Sequence, residues 1–305
     1  MTVVAREQTR AHLALLGANL IYGANYTIAK GLMPDFIRPL GFVVTRTSVA
    51  LILFILVSLT IRRSGFEWKE YGKLILCGMF GVAFNQSLFF SGLELTHEIN
   101  AAIIMISSPI MVVFIGALVL KEKLTSRKLI GIVLGCTGAA FLILYGKDLT
   151  FASDTLRGDI MVFLNATSYS IYLILVKPLM KKHDPLVVIA WVFFFGSLMV
   201  LPFGWEQFTG AHWSEMGQRQ WISVAYVCVG TTFLAYLFNI VALKTASPSL
   251  VSFYIYLQPF FASVIAVSMG KGHLTADKIF AAILIFIGVY LVSRSGTRTG
   301  QGGRA

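Results

Sequence analysis

The side chains best placed to do chemistry in this chain are amides and phenols set inside apolar runs. Asn19, Tyr22, Asn25 and Tyr26 follow one another at spacings of three, three and one, with Asn19 and Tyr26 seven apart; on a helix they share one face. Asn165, Ser168, Tyr169 and Tyr172 repeat that arrangement later in the chain. Asn85-Gln86-Ser87 are consecutive, so on a helix they point in three directions and cannot all meet one ligand; at least one is expected to line a cavity. Thr232, Tyr236 and Asn239 fall on one narrow face, and Tyr254 and Gln258, four apart, fall on another; for these two sets cavity lining and helix packing both stand. Groups of this kind recognise rather than react. Rings cover the apolar part of a ligand while amides and phenols satisfy its polar ends, which suits a small, neutral, partly apolar molecule. The competing reading is hydrogen bonding between helices with no ligand at all.

The groups that catalysis would need stand elsewhere. Glu94, Glu98, Glu122 and Asp159 lie near the ends of apolar runs, and His12, His97, His183, His212 and His273 lie at ends or in connections. No Ser–His–Asp or Cys–His set is suggested, no phosphate-binding Walker loop appears, and no cluster has metal-ligand spacing. Cys77, Cys136 and Cys228 are far apart, each inside an apolar run. No catalytic residue, metal or cofactor is expected, and the chain reads as something other than an enzyme. A chain of carboxylates able to relay protons is not evident either.

The elements that must position these amides and phenols follow from composition. Of 305 residues, 57% are hydrophobic and 13% charged, against about 25% charged in a soluble domain. The excess apolar surface calls for lipid. Ten apolar segments emerge, at about 11–30, 39–61, 72–93, 98–120, 127–145, 157–177, 186–204, 219–243, 249–269 and 276–293, each near the length that crosses the hydrocarbon layer. The connections carry charges or breakers, among them Met33-Pro34-Asp35, Arg62-Arg63-Ser64-Gly65 and Lys181-Lys182-His183-Asp184-Pro185, and the longest, near 205–218, holds Trp205 and Trp213. The first run lacks a small-x-small cleavage site and reads as a retained helix. Residues 294–305 read as a disordered cytoplasmic tail. With the N-terminus inside, 17 Lys and Arg fall on inner segments and 7 on outer ones, which favours both termini in the cytoplasm. The net charge of +11 then belongs to topology and anionic headgroups, with lipid and not nucleic acid as the partner.

An internal repeat organises the ten segments. At an offset of 150, Leu93 meets Leu243, Pro109 meets Pro259 and Lys121 meets Lys271; Leu124, Thr125, Lys128, Leu134 and Gly138 meet Leu274, Thr275, Lys278, Leu284 and Gly288. Near the start of each half the offset is 147, and Tyr22 meets Tyr169 while Lys30 meets Lys177. The halves are 11–145 and 157–293. Five helices is an odd number, so the second half would enter the membrane inverted relative to the first. The expected fold is therefore all-α and integral to the membrane, with ten transmembrane helices as two inverted five-helix repeats. Inverted repeats mark secondary transporters whose site lies between the halves near mid-membrane.

The sequence Ser108-Pro109, then Leu120-Lys121-Glu122-Lys123-Leu124-Thr125, then Gly131 and Gly138 resembles the EamA family of the drug/metabolite transporter superfamily, with its Pro, its Gly-Glu-x-Leu-Thr and its Gly-rich last helix. Gln258-Pro259 and Leu274-Thr275 repeat the pattern, and Arg46 is similar to the family's second-helix arginine. The resemblance spans roughly 13–293. It implies a monomeric exporter of small metabolites, similar to bacterial aromatic and neutral amino-acid exporters, in a cell inner membrane; sugar, nucleoside or nucleotide-sugar carriage is the alternative, and a lipid-modifying membrane enzyme a more distant one. Gly272 stands where the first half has Glu122, which puts any paired acidic role there in doubt. Arg46 either binds a substrate carboxylate or holds neighbouring carbonyls, and the resemblance implies a structural role near one membrane face. Pro109 and Pro259 each remove a backbone hydrogen bond and crowd the carbonyl four residues earlier, at Met105 and Ile255; paired kinks able to act as hinges are expected there. Gly131 and Gly135 form a GxxxG pair suited to close packing within the monomer.

Overall fold

The computed structural model describes residues 3–61, 65–122, 124–144, 155–268 and 276–296. Among the described residues there are helices and no strand. The first apolar run forms α1 (Val3–Gly23) and, after a turn at Ala24, α2 (Asn25–Lys30), followed by α3 (Pro39–Ser58). Helix α4 (Trp68–Gly78) passes through a π-helical segment, Met79–Ala83, into α5 (Phe84–Leu95). Helices α6 (Glu98–Met105) and α7 (Ser107–Val119) meet at Ile106, and α8 (Ser126–Leu144) follows. The second half opens with α9 (Leu156–Lys182) and α10 (Pro185–Thr209). Helix α11 (Gln218–Ala225) runs through another π segment, Tyr226–Leu234, into α12 (Ala235–Thr245). Then come α13 (Pro248–Phe253), a 3-10 turn at Tyr254–Leu257, α14 (Gln258–Ser268) and α15 (Ala276–Gly296).

Helix starts follow local chemistry. Pro39, Pro185 and Pro248 occupy first-turn positions, where the missing N–H costs nothing. The Asp184 carboxylate accepts from the Leu186 amide and the Ser247 hydroxyl from the Leu250 amide, satisfying donors that a helix start leaves open. Helix α10 reaches Thr209, beyond the expected end at 204, so Trp205 is helical and Trp213 sits in a short 3-10 turn. Helix α15 likewise continues to Gly296. The expectations for Arg62-Arg63-Ser64, Lys123, Tyr145, Lys271 to Thr275 and the tail from 297 lie outside the described residues, as does the side chain of Lys278.

Among the described residues, eight helices are long and apolar enough to cross a membrane, from Pro39–Ser58 to Pro248–Ile265. The apolar stretch Ile279–Arg294 of α15 is shorter. Helix α1 falls outside the eight: Arg6, Glu7 and Arg10 open it and Asn19 interrupts its apolar run. Large apolar side chains point outward along the bundle, with Leu118 67%, Phe203 76% and Phe280 62% exposed. A water-facing surface would not carry such a belt; hydrocarbon explains it. The protein is a multi-pass membrane protein.

The helices pack reciprocally across the two halves. Helix α5 packs on α9 as α12 packs on α1, and α7 packs on α9 as α14 packs on α1. Two further pairs, α3 with α10 and α8 with α15, close the flanks. In the α8–α15 pair the backbones nearly touch. A Cβ on Gly288 would lie 2.7 Å from the Gly131 carbonyl oxygen and 2.9 Å from the Gly135 nitrogen, so only glycine fits. Lys30 and Lys177, matched in the repeat, do matching work: Lys30 donates to the Thr96 carbonyl at the end of α5, and Lys177 to the carbonyls of Leu243 (2.5 Å) and Ala246 (2.6 Å) at the end of α12. A helix C-terminus presents unpaired carbonyls and negative dipole, which a cation stabilises.

Candidate functional site

Most of the helices that meet at the centre are irregular, α3 and α9 excepted, and the irregularity exposes backbone polarity. In each π segment a carbonyl loses its usual partner. Side chains supply substitutes: Ser168 donates to the Phe80 carbonyl (2.7 Å) and Tyr236 to that of Gly81 (3.0 Å), while Thr231 and Thr232 donate to the Val227 carbonyl (2.8 and 2.7 Å). Buried polar groups are costly unless paired, so these bonds fix where the aromatic and hydroxyl side chains can stand.

A cavity of about 90 Å³ lies between the halves, room for on the order of six to nine waters. Helices α1 and α2 give it Asn19, Tyr22, Asn25 and Tyr26; α5 gives Asn85, Gln86, Phe89 and Phe90; α9 gives Asn165 and Tyr169; α12 gives Tyr236 and Asn239. Gln258 opens α14 beside it, and Met105, Val251 and Ile255 add an apolar wall. The broken first helix, expected as one run to residue 30, turns at Ala24 and so presents Asn25 and Tyr26 to the same space as Asn19 and Tyr22.

The polar atoms of the lining form two connected sets. The Tyr236 hydroxyl lies 3.0 Å from the Gly81 carbonyl, 3.2 Å from Asn85 Oδ1 and 3.4 Å from Gln86 Nε2, which donates to it. Asn165 Nδ2 donates to the Asn85 carbonyl (2.6 Å). On the other side Gln258 Nε2 donates to Asn19 Oδ1 (3.0 Å), whose own amide donates to the Leu15 carbonyl (2.8 Å). Three lining oxygens remain buried without a hydrogen-bond partner: Asn25 Oδ1, Gln86 Oε1 and Asn165 Oδ1. An unmade buried hydrogen bond costs about 1–3 kcal/mol, so each is an open acceptor.

Arg46 also lines the cavity, 4% exposed. Its Nε donates to Thr232 Oγ1 (2.7 Å), one Nη donates to Thr231 Oγ1 (3.3 Å), and its guanidinium lies 4.4 Å from the centre of the Phe90 ring. It therefore holds hydroxyls and a ring face rather than carbonyls. Among the described residues no carboxylate pairs with it or lines the cavity.

Three residues expected at the site are buried but do not reach the cavity wall. Thr232 faces Arg46 and serves as its acceptor. Tyr254, turned by the 3-10 segment, pairs with His12 Nδ1 at 2.5 Å. Tyr172 packs its ring over Gly81, where a Cβ would lie 2.4 Å from it. Ser87 is also outside the lining. Sequence reasoning missed Phe89, Phe90, Met105, Val251 and Ile255. For Met105 and Ile255 a signal existed: they match at the 150 offset and each precedes a proline by four. Helix geometry departs from regular α just there, at Ile106 before Pro109 and at Tyr254–Leu257 before Pro259.

A lipid-facing bundle around a partly open cavity, with amides, phenols and apolar side chains from both halves in its walls, is the architecture of a helical membrane transporter. Residues 9–144 and 156–294 each match the EamA-like transporter family, and the chain belongs to that family. It is 23% identical to the uncharacterized transporter YyaM of Bacillus subtilis, over 92% of this chain and 93% of that protein. An uncharacterized transporter of Archaeoglobus fulgidus is 26% identical over 75% and 78% of the two chains. One solved crystal structure shares the fold, with a TM-score of 0.76 over 95% of this chain and 99% of that one, at 20% identity.

Proposed function

We propose that the protein is a secondary transporter that exports small neutral metabolites, amino acids foremost, by alternating access. In this reading ten helices cross a cell inner membrane as two five-helix repeats of opposite sense, residues 11–145 and 157–293, with both termini in the cytoplasm. The observation that carries it is the cavity itself. Its lining comes in comparable parts from both family-matched segments, and the helices that build it exchange partners between halves. Rocking one half against the other would open such a space first to one side and then to the other. The volume supports a ligand of amino-acid size over a nucleotide sugar. Aromatic rings, amides and an apolar wall suit a molecule with a polar head and an apolar side chain. Pro109 and Pro259 would serve as hinges in helices 4 and 9 of the ten, α6–α7 and α13–α14.

The test is flux into liposomes holding the purified protein, with labelled amino acids, nucleosides and sugars. Saturable flux confined to amino acids is the expected result. Selective flux of a nucleoside or sugar would overturn the substrate class, and lipid turnover without flux of any solute would overturn transport itself.

A further inference from the structure

We infer that Arg46 is the anchor for a substrate carboxylate, and that the unpartnered amide oxygens of Asn25, Gln86 and Asn165 receive the substrate's ammonium group, so that the cargo is held as a zwitterion. This rests on the transporter reading above and specifies its ligand.

The first observation is a charge without a counter-charge. A guanidinium buried at membrane depth is costly unless paired. Here its partners are two hydroxyls and a ring face. Both hydroxyls also donate to the Val227 carbonyl, which leaves their lone pairs for the arginine and orients its fork. Two of the five N–H groups are thereby used; among the described residues the rest have no acceptor, and the residue lines the cavity. A planar fork with free donors matches a carboxylate, which accepts two parallel bonds.

The second observation is independent of the first. Asn25, Gln86 and Asn165 are 5%, 2% and 2% exposed, stand on three different helices around one cavity, and each carries a buried amide oxygen without a hydrogen-bond partner. For Asn165 the amide orientation is set by its bond to the Asn85 carbonyl, and for Gln86 by its bond to Tyr236. Three acceptors around one space ask for a donor with several N–H bonds, and a primary ammonium has three. The two poles lie close together. Gln86 and Phe90, the ring under Arg46, are four residues apart on α5, about 6 Å along the helix. The site as a whole carries one positive charge, so a simple cation is repelled, whereas a zwitterion meets an opposite partner at each end. Met105, Val251 and Ile255 then face its side chain.

Leucine and three relatives separate the poles: leucinamide and isopentylamine lack the carboxylate, and 4-methylpentanoate lacks the ammonium. Each is tested as a competitor of labelled leucine flux in liposomes, on the wild type and on Arg46→Gln, Arg46→Lys and Gln86→Leu. The expectation is that only leucine competes well with the wild type. Arg46→Gln should raise the leucine KM at least about tenfold, the effect of losing charge-assisted bonds, and should narrow the gap between leucine and leucinamide. Arg46→Lys keeps the charge without the fork and should recover part of the loss, which also guards against a misfolded glutamine variant. Gln86→Leu should narrow the gap between leucine and 4-methylpentanoate instead. The inference falls if leucinamide competes as well as leucine on the wild type, or if folded Arg46→Gln keeps full discrimination. Wild-type flux confined to sugars or nucleosides would sink the inference while transport stands; no flux of any solute would sink both.

Discussion

The helices around the cavity and the pair formed by α8 and α15 are built from the same apolar alphabet to opposite ends. Around the cavity α3 and α9 run unbroken, but the other helices are irregular: α1 stops at Gly23, π segments interrupt two helices, and α6–α7 and α13–α14 break before their prolines. Freed carbonyls there are met by hydroxyls and phenols, and several amide oxygens stay open. Helices α8 and α15 are uninterrupted, contribute nothing to the cavity wall, and approach closely enough that Gly131 and Gly288 face each other's carbonyls. In lipid there is no hydrophobic gain from joining two helices, so close backbone contact is what binds such a pair. Polarity, by contrast, is retained only where it can be satisfied or used. The difference separates a scaffold, made of small residues, from a working surface, made largely of broken helices.

The sharpest way to break that division is to damage the scaffold. Gly288→Val places a branched side chain against backbone atoms that cannot move aside, and overpacking of this kind costs about 3 kcal/mol. Folded yield and melting temperature in detergent should fall steeply. A variant that melts like the wild type would show that the close approach is not what holds this flank.

Two tyrosines give a contrast between the regions. Tyr236→Phe removes the hydroxyl that joins Gly81, Asn85 and Gln86, leaving buried groups unpaired at a cost of about 1–3 kcal/mol. Flux should drop about tenfold with a smaller loss of thermal stability. Tyr256, fully buried with its ring on Gly135, has a hydroxyl with no partner. Tyr256→Phe should therefore be neutral or stabilising by about 1 kcal/mol. Equal damage from both substitutions would erase the distinction between working surface and packing.

Next in size are the prolines. Pro109→Ala and Pro259→Ala restore a backbone donor and a straighter helix, and each should slow flux several-fold at unchanged protein abundance. Normal flux in both would make the kinks static features of packing.

The sequence made much of this legible, for a physical reason. Amides and phenols in hydrocarbon are expensive, so their spacing reports which face turns inward; Asn19, Tyr22, Asn25, Tyr26, Asn165, Tyr169 and Tyr236 all reach one cavity. Thr232 and Tyr254 share helical faces with such residues yet serve partners elsewhere, because π and 3-10 segments rotate the faces that an ideal α-helix predicts. Periodicity carries no trace of those segments. Arg46 was visible as a lone charge, but its exposure to the cavity depends on Phe90, Thr231 and Thr232, which lie far along the chain.

The smallest expected effect falls where the two regions join. The turn after α7 leads from the cavity helices into α8, and Lys121 there has a φ of 54°, a left-handed conformation that costs a non-glycine residue about 1–2 kcal/mol. The next residue, Glu122, is held firmly: its carboxylate lies 2.6 Å from Lys128 Nζ and 2.6 Å from the Ser249 hydroxyl, and its amide donates to the Gly116 carbonyl. These contacts compel the turn, so Lys121 accepts the strained φ. Lys121→Gly relieves it, while the greater freedom of glycine in the unfolded chain returns about 0.4–1 kcal/mol of the gain. A net rise in stability of up to about 1 kcal/mol is expected, read as a small increase in melting temperature, with flux unchanged because the scaffold side of the turn does not move. A stabilised variant that transports more slowly would place the strain inside the working region and move the boundary between the two parts to α8 itself.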